Sequence, residues 1–265
     1  MAAARVPERA EGEGGSLNVA DIHMHVVPGV DDGAGSMEEA LRLLELSAAQ
    51  GVRAVFATPH GSAFRSGPER VRERFLRLRA AAAARGLPVR LFFGCELRLF
   101  PDTAEACTEA LLAGRYPTMN GTRFVLTEFD PEGFTAEDAA FCVRTLRGAG
   151  FLPIVAHAER CRFTTADSAA ALKDLGARIQ INAYSVVNES KGWIRENAAA
   201  LLSGGLADFI GTDAHRMDHR PPAAAEGIAA LRRLYGEDYA RQLCEENPQK
   251  LLIAPGAPEE SAPLA

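Results

Sequence analysis

Short apolar runs alternate along this chain with stretches of helical period. The runs are 18–24, 52–57, 89–94, 123–127, 152–156, 178–181 and 208–211. Most lack the apolar–polar alternation of a half-exposed strand, so the pattern predicts seven parallel strands buried on both faces. Helical patterns fill the gaps. Ser36-Met37-Glu38-Glu39 has the form of a capping box, with Met37, Leu41, Leu44 and Ala48 following at helical spacing and Gly51 ending the helix. Pro68 suits a first-turn position, with Val71 and Phe75 marking an inward face. Thr135 caps a further helix that stops at Gly148-Ala149-Gly150, and similar patterns cover 103–112, 168–175, 193–202 and 223–234.

Repeated βα units build either an open doubly-wound sheet or a barrel. An open sheet binds ligands at one switch point, whereas a barrel draws on nearly every strand end. Here metal-capable side chains end almost every apolar run: His23 and His25, His60, Glu96, Glu128, His157, then Asp213 and His215. The expected fold is therefore an α/β barrel of the (β/α)7, TIM-like kind, with metals at the C-terminal rim.

Each of these residues has a chemical reason to be there. His23 and His25 are two apart on a strand and share a face, so both imidazoles can reach one divalent ion. In Val27-Pro28-Gly29-Val30-Asp31-Asp32-Gly33, a turn returns Asp31 or Asp32 over the strand end as a hard oxygen ligand, Asp32 being preferred. Pro59 breaks the sheet pattern and presents His60. Glu96 emerges from a run of aromatic residues, where a carboxylate is costly unless paired or metal-bound, and a bridging role between two ions would meet that need. Glu128 ends the next run in the same way, with an ion pair to an arginine as the competing reading. Asp213-x-His215 repeats the spacing of His23-x-His25, and is read as the same strand device. Arg160 and Arg220 each stand a short step beyond a candidate ligand. A single arginine is usually a solvated surface group, but two in such positions point to a phosphate clamp. Tyr184 and Trp193 are assigned to core packing, and His219 to loop surface.

Composition narrows the classes. The 265-residue chain is long enough for one large α/β domain. Its formal charge of −6 argues against a nucleic-acid binder. Residues 1–18 lack the apolar core of a secretion signal and read as a tail, as do 254–265, leaving 19–253 as one domain. No apolar stretch approaches the length that spans a bilayer. Cys95, Cys107, Cys142, Cys161 and Cys244 are odd in number and form no C-x-x-C pair, which suits buried, reduced thiols in a cytoplasmic protein. No cysteine is followed six residues later by arginine, and neither a P-loop nor a G-x-S-x-G elbow is present.

Taken together, Asp21-Ile22-His23-x-His25-x-x-Pro28-Gly29-x-Asp31-Asp32-Gly33, Thr58-Pro59-His60, Gly94-x-Glu96, Thr127-Glu128-Phe129, Ala156-His157-x-Glu159-Arg160, Gln180-Ile181-Asn182-Ala183-x-Ser185, Asp213-Ala214-His215, Arg220-Pro221-Pro222 and Asn247-Pro248 resemble the polymerase and histidinol phosphatase (PHP) family. The resemblance runs from about Asp21 to Leu252. Within that family it is similar to the manganese-dependent protein-tyrosine phosphatases of bacterial capsule and exopolysaccharide operons. The resemblance implies a distorted seven-stranded barrel and three divalent ions, Mn2+ foremost, with Fe, Co or Zn as alternatives. It implies His23, His25, Glu96 and Asp213 on one ion, Glu96, Glu128 and His157 on a second, and Asp32, His60 and His215 on the third. It implies Arg160 and Arg220 as the phosphate-binding residues, and phosphotyrosine hydrolysis by metal-activated water without a covalent phosphoenzyme. The implied partner is a phosphotyrosine protein such as the tail of a bacterial tyrosine autokinase. Departures after His60 and after Ser185 fall on rim loops, where they bear on substrate choice. Rival readings are a small-molecule phosphatase of the histidinol-phosphate kind, a metal-dependent amidohydrolase, and a metal-stabilised regulatory module. The amidohydrolase reading wants a bridging lysine where this chain has Glu128.

Overall fold

The computed structural model describes residues 19–65, 67–187 and 192–252. The two tails expected at 1–18 and 254–265 lie outside them. The first strand, β1 (Val19–Met24), is buried throughout and leads to helix α1 (Met37–Ala49), then β2 (Val52–Ala57), α2 (Pro68–Ala84) and β3 (Arg90–Phe93). A short β4 (Glu96–Arg98) follows, with α3 (Ala104–Leu112), β5 (Phe124–Glu128), α4 (Ala136–Gly148), β6 (Leu152–Val155) and α5 (Ala166–Asp174). The last described part holds β7 (Arg178–Asn182), α6 (Ala183–Val186), α7 (Gly192–Ser203), β8 (Phe209–Gly211), α8 (Ala224–Tyr235) and α9 (Glu237–Arg241).

The strands pair in parallel, as a three-stranded sheet β1-β2-β3 and a five-stranded sheet β4-β5-β6-β7-β8. The expected count of seven therefore gives way to eight strands among the described residues, in two sheets neither of which is closed. The physical reason lies at Gly94-Cys95. Pairing breaks there between β3 and β4, and Gly94 leaves room for Met119 beside the break, since a Cβ would stand 2.8 Å from Met119 Sδ. Beyond the break Glu96 opens β4 rather than ending the third run. The two sheets meet at their C-terminal ends through isolated parallel bridges, Met24 with Ala214 and His60 with Glu96.

Alternate strand residues feed two apolar clusters. Ile22, Phe56, Leu126, Ile154 and Phe209 join Met119 and Leu251 in one. Val55, Val125, Val155, Ile179, Ile181 and Ile210 face the helices in the other, with Leu41, Leu44, Phe75, Leu78 and Leu146. On β7 this parity leaves Gln180 and Asn182 on the opposite side from the isoleucines, both buried.

The helices start where the sequence signals. Ser36 Oγ accepts the Glu39 amide, and Pro68 sits at the first turn of α2, whose buried face is Val71, Phe75, Leu78 and Ala82. Thr135 and Asp138 form a capping box. One expectation is corrected: the Glu39 carboxylate takes the Gly35 amide, not that of Ser36. Two more concern aromatic residues expected in the core. Tyr184 is exposed, and half-buried Trp193 lies under the Arg162 guanidinium at 4.0 Å. Cys95, Cys142, Cys161 and Cys244 are buried and Cys107 half-buried, all unpaired.

Candidate metal centre

Glu96 at the start of β4 and eight residues at or just beyond the C-terminal ends of other strands bring all nine predicted ligands into one cluster. His23 Nε2 lies 3.2 Å from His25 Nε2, 3.3 Å from Glu96 Oε1 and 3.5 Å from Asp213 Oδ1. His157 Nε2 is 3.0 Å from the same Glu96 oxygen and 4.0 Å from Glu128 Oε1. Glu96 Oε2 faces His60 Nδ1 at 2.9 Å and His25 Nε2 at 3.2 Å. Asp32 Oδ1 is 3.3 Å from His60 Nε2 and 3.6 Å from His215 Nε2. Four sets lie close enough to share an ion: His25, Asp32, His60 and His215; His23, His157 and Asp213; His23, His25 and Glu96; His60, Glu96 and Glu128.

The pair Asp31 and Asp32 divide their work. Asp31 Oδ2 lies 2.9 Å from His25 Nδ1 and also accepts the His60 backbone amide, so Asp31 orients one imidazole and anchors the backbone that carries another. Asp32 is 68% exposed and is the one that joins a cluster set. A carboxylate accepts only, so His25 carries its proton on Nδ1 and turns Nε2 inward. The Asp213 carbonyl does the same for His215 Nδ1 at 2.9 Å.

Backbone strain concentrates here. Among the described residues four non-glycines have positive φ, and three of them are His157 (33°), Asp213 (53°) and Arg220 (59°). Asp213 is thus in a left-handed turn beyond β8, which corrects its reading as a strand device like His23-x-His25. Such conformations cost on the order of 1–3 kcal/mol each and persist where surrounding structure enforces them. Arg160 Nη1 and Arg220 Nη1 both bond Asp213 Oδ2, at 2.8 and 2.7 Å, while 33% and 37% exposed.

Charge in the cluster is set by burial and neighbours. Burial would raise the Glu96 carboxyl, but His23 and the imidazoles bonded to it hold it well below the ordinary carboxylate range. Asp213 is likewise held down against burial, by His23 and His157. Burial would lower His23 and His25, yet Glu96 and Asp213 raise the former, and Asp31 and Glu96 raise the latter well above its ordinary value. Burial and the neighbouring His25 push His215 down to about 4.

Sequence reasoning gave no role to Gln180 and Asn182, although their i, i+2 spacing on an apolar strand is the signal used for His23 and His25. Gln180 Oε1 meets the His157 amide at 2.9 Å and His23 Nδ1 at 3.1 Å, and Asn182 Nδ2 reaches Asp213 Oδ2 at 3.3 Å. Buried Glu159, adjacent to Arg160, accepts from Ser185 Oγ at 2.7 Å and from the Asn182 amide.

The family profile described as capsular polysaccharide synthesis, CpsB/CapC, matches residues 19–253. The chain belongs to the CpsB/CapC family. A tyrosine-protein phosphatase CpsB of Streptococcus agalactiae serotype V is 30% identical over 241 residues, covering 88% of this chain and 97% of its own. The tyrosine-protein phosphatase YwqE of Bacillus subtilis is 27% identical over 229 residues, covering 85% and 88%. Among solved structures, one described as YwqE from Bacillus subtilis and CpsB from Streptococcus pneumoniae, unique metal-dependent tyrosine phosphatases, superposes with a TM-score of 0.78. It shares 26% identity over 89% of this chain and 95% of its own. A D-hydantoinase superposes at a TM-score of 0.56 with 11% identity, covering 86% of this chain and 69% of its own, a likeness of fold alone.

Metal binding in this CpsB/CapC cluster must compete with protons, because ligating imidazoles must be neutral. In the metal-free fold, the stability from the raised pKa values of His23, His25 and His60 is present below about 6.5 and fades as pH rises through those values. Added Mn2+ should therefore raise Tm more at about pH 8 than at about pH 6. Melting curves with metal and with chelator at both pH values check this, and a larger shift at the lower pH would contradict it.

Proposed function

We propose that this chain is a metal-dependent protein-tyrosine phosphatase of capsule or exopolysaccharide regulation. The observation that carries the reading is the placement of two half-exposed guanidiniums on one oxygen of Asp213, beside a cluster of five imidazoles and four carboxylates. The donor set fits divalent ions. Mixed imidazole and carboxylate ligands suit Mn2+ first, then Fe, Co or Zn. In addition, buried Glu96 Oε2 makes no well-formed hydrogen bond although two imidazole nitrogens lie within 3.2 Å of it, as expected of an atom arranged to share an ion with them.

Three ions are proposed, held by His23, His25, Glu96 and Asp213; by Glu96, Glu128 and His157; and by Asp32, His60 and His215. When bound, such ions supply Lewis-acid activation of water and of the phosphoryl oxygens. Arg160 and Arg220 each spend one Nη on Asp213 and keep other N–H groups for phosphoryl oxygens, whose developing charge they offset. Asp213 fixes the direction of both forks. A tyrosine phenolate, with an ordinary pKa of about 10, leaves without much proton donation. The bridges and backbone bonds that join the two sheets support a distorted barrel as the scaffold. The unpaired thiols suit a cytoplasmic setting, and no helix among the described residues is long and apolar enough to cross a membrane. The proposed substrate is a phosphotyrosine protein such as a tyrosine autokinase tail.

Among the described residues the lysines are Lys173 and Lys250, and neither stands at the end of a strand that carries a candidate ligand. That disfavours an amidohydrolase built on a bridging lysine, despite the likeness of fold.

The test is phosphate release from a phosphotyrosine peptide and from histidinol phosphate, with Mn2+ and with chelator. Chelator-sensitive release favouring the peptide is expected. Preference for histidinol phosphate would assign a small-molecule phosphatase instead.

A further inference from the structure

The buried amides of β7 form a relay whose orientation is dictated by one backbone N–H. The His157 amide can only donate, so the Gln180 atom 2.9 Å from it is the carbonyl oxygen Oε1. That oxygen also faces His23 Nδ1 at 3.1 Å, so the neutral imidazole keeps its proton on Nδ1 and Nε2, turned toward Glu96 and Asp213, is the nitrogen that a metal can take. The Gln180 amide nitrogen then points the other way, to Asn182 Oδ1 at 2.9 Å. Asn182 must in turn offer Nδ2 to Asp213 Oδ2, at 3.3 Å. With Arg160 and Arg220, that oxygen gathers three donors, and Oδ1 is left to face His23 and His25, each at 3.5 Å.

Room for this arrangement is built in. A Cβ on Gly211 would lie 3.2 Å from Gln180 Nε2 and 2.8 Å from His23 Cβ, so only glycine lets β8 pass. Gln180 is fully buried, and its oxygen also helps to hold His157 at positive φ. We infer that Gln180 and Asn182 are positioning residues that set the His23 tautomer and the outward and inward oxygens of Asp213 for metal binding. The inference rests on the metal-dependent reading of the site.

The test compares Gln180→Met, which removes the acceptor at similar volume, with Gln180→Glu, which keeps it. Mn2+ affinity is measured by titration calorimetry, and the His23 tautomer by 15N–1H correlation in the metal-free protein. Outer-shell partners of this kind are worth about 10–100-fold in metal affinity. Gln180→Met is expected to weaken Mn2+ binding by about that factor and to mix the His23 tautomers, with Gln180→Glu, which keeps the acceptor but loses the donor to Asn182, restoring the His23 tautomer. Wild-type affinity in Gln180→Met, or mixed His23 tautomers in Gln180→Glu, would overturn the inference. Should Gln180→Met not fold, Asn182→Asp tests the other end of the relay, since it sets an acceptor against Asp213 Oδ2. It is expected to weaken Mn2+ binding about tenfold, and unchanged affinity would again overturn the inference. None of these readouts uses turnover, so a failure to hydrolyse phosphotyrosine would count against the functional reading alone.

Discussion

Asp213→Ala is expected to lower kcat for a phosphotyrosine peptide by about three orders of magnitude or more while leaving the protein folded. The residue acts on both sides of the chemistry. Its Oδ2 holds Arg160 and Arg220, and its Oδ1 lies 3.5 Å from the His23 and His25 Nε2 atoms. Each electrostatic contact to a developing transition-state charge is worth about 10²–10³ in rate. Truncation frees both guanidiniums and removes a proposed ligand, so the losses compound. The fold tolerates it because the two arginines are about a third exposed and rehydrate, unlike a fully buried charge left without its partner. Steady-state kinetics with metal stoichiometry checks this. Turnover near wild type would remove Asp213 from the machinery.

Gly33→Ala should be the most damaging change of a single methyl. A Cβ at Gly33 would lie 2.1 Å from the His25 carbonyl oxygen and 2.5 Å from His25 Cβ, and neither can move without moving β1's end. Overpacking against backbone costs about 3 kcal/mol or more, or roughly 6–12 °C in Tm for a domain of this size. The displaced residue is a candidate ligand, so Mn2+ affinity should fall with it. Melting curves of wild type and variant, with and without Mn2+, test both effects. An unchanged Tm would mean that the turn holding Asp31 and Asp32 is looser than the structure shows. The glycine of the Asp-Asp-Gly turn is thus required by close approach of two backbone segments.

Much of this was legible before any coordinates. The run 52–57 is β2 as observed, and Pro68 and Thr135 begin helices where predicted. Local signals of that kind act over a few residues and survive in any context. Glu96 was found as a candidate ligand, but its place on a separate strand was not, because Gly94 packs against Met119, which approaches from a distant segment and leaves no local signal. The paired roles of Arg160 and Arg220 on one carboxylate oxygen were equally hidden, since Asp213 lies 53 residues from Arg160 and in a left-handed turn no periodicity reveals. Tyr184 misled because an aromatic residue just past a buried strand normally turns inward, whereas here it opens a helix with its ring outward.

The Asp21 carboxylate bonds the Thr212 amide and hydroxyl across 191 residues, and beside it the His23 carbonyl takes the Asp213 amide. A contact between the first and last strands closes one of the longest loops in the described chain, and such contacts form late because their entropy must be met first. His23 and His25 leave the ribosome long before Asp213 and His215, so a nascent chain holds only part of the cluster until its last strand is made. Metal capture then belongs to the end of folding, where it slows unfolding without hastening the search for the native state.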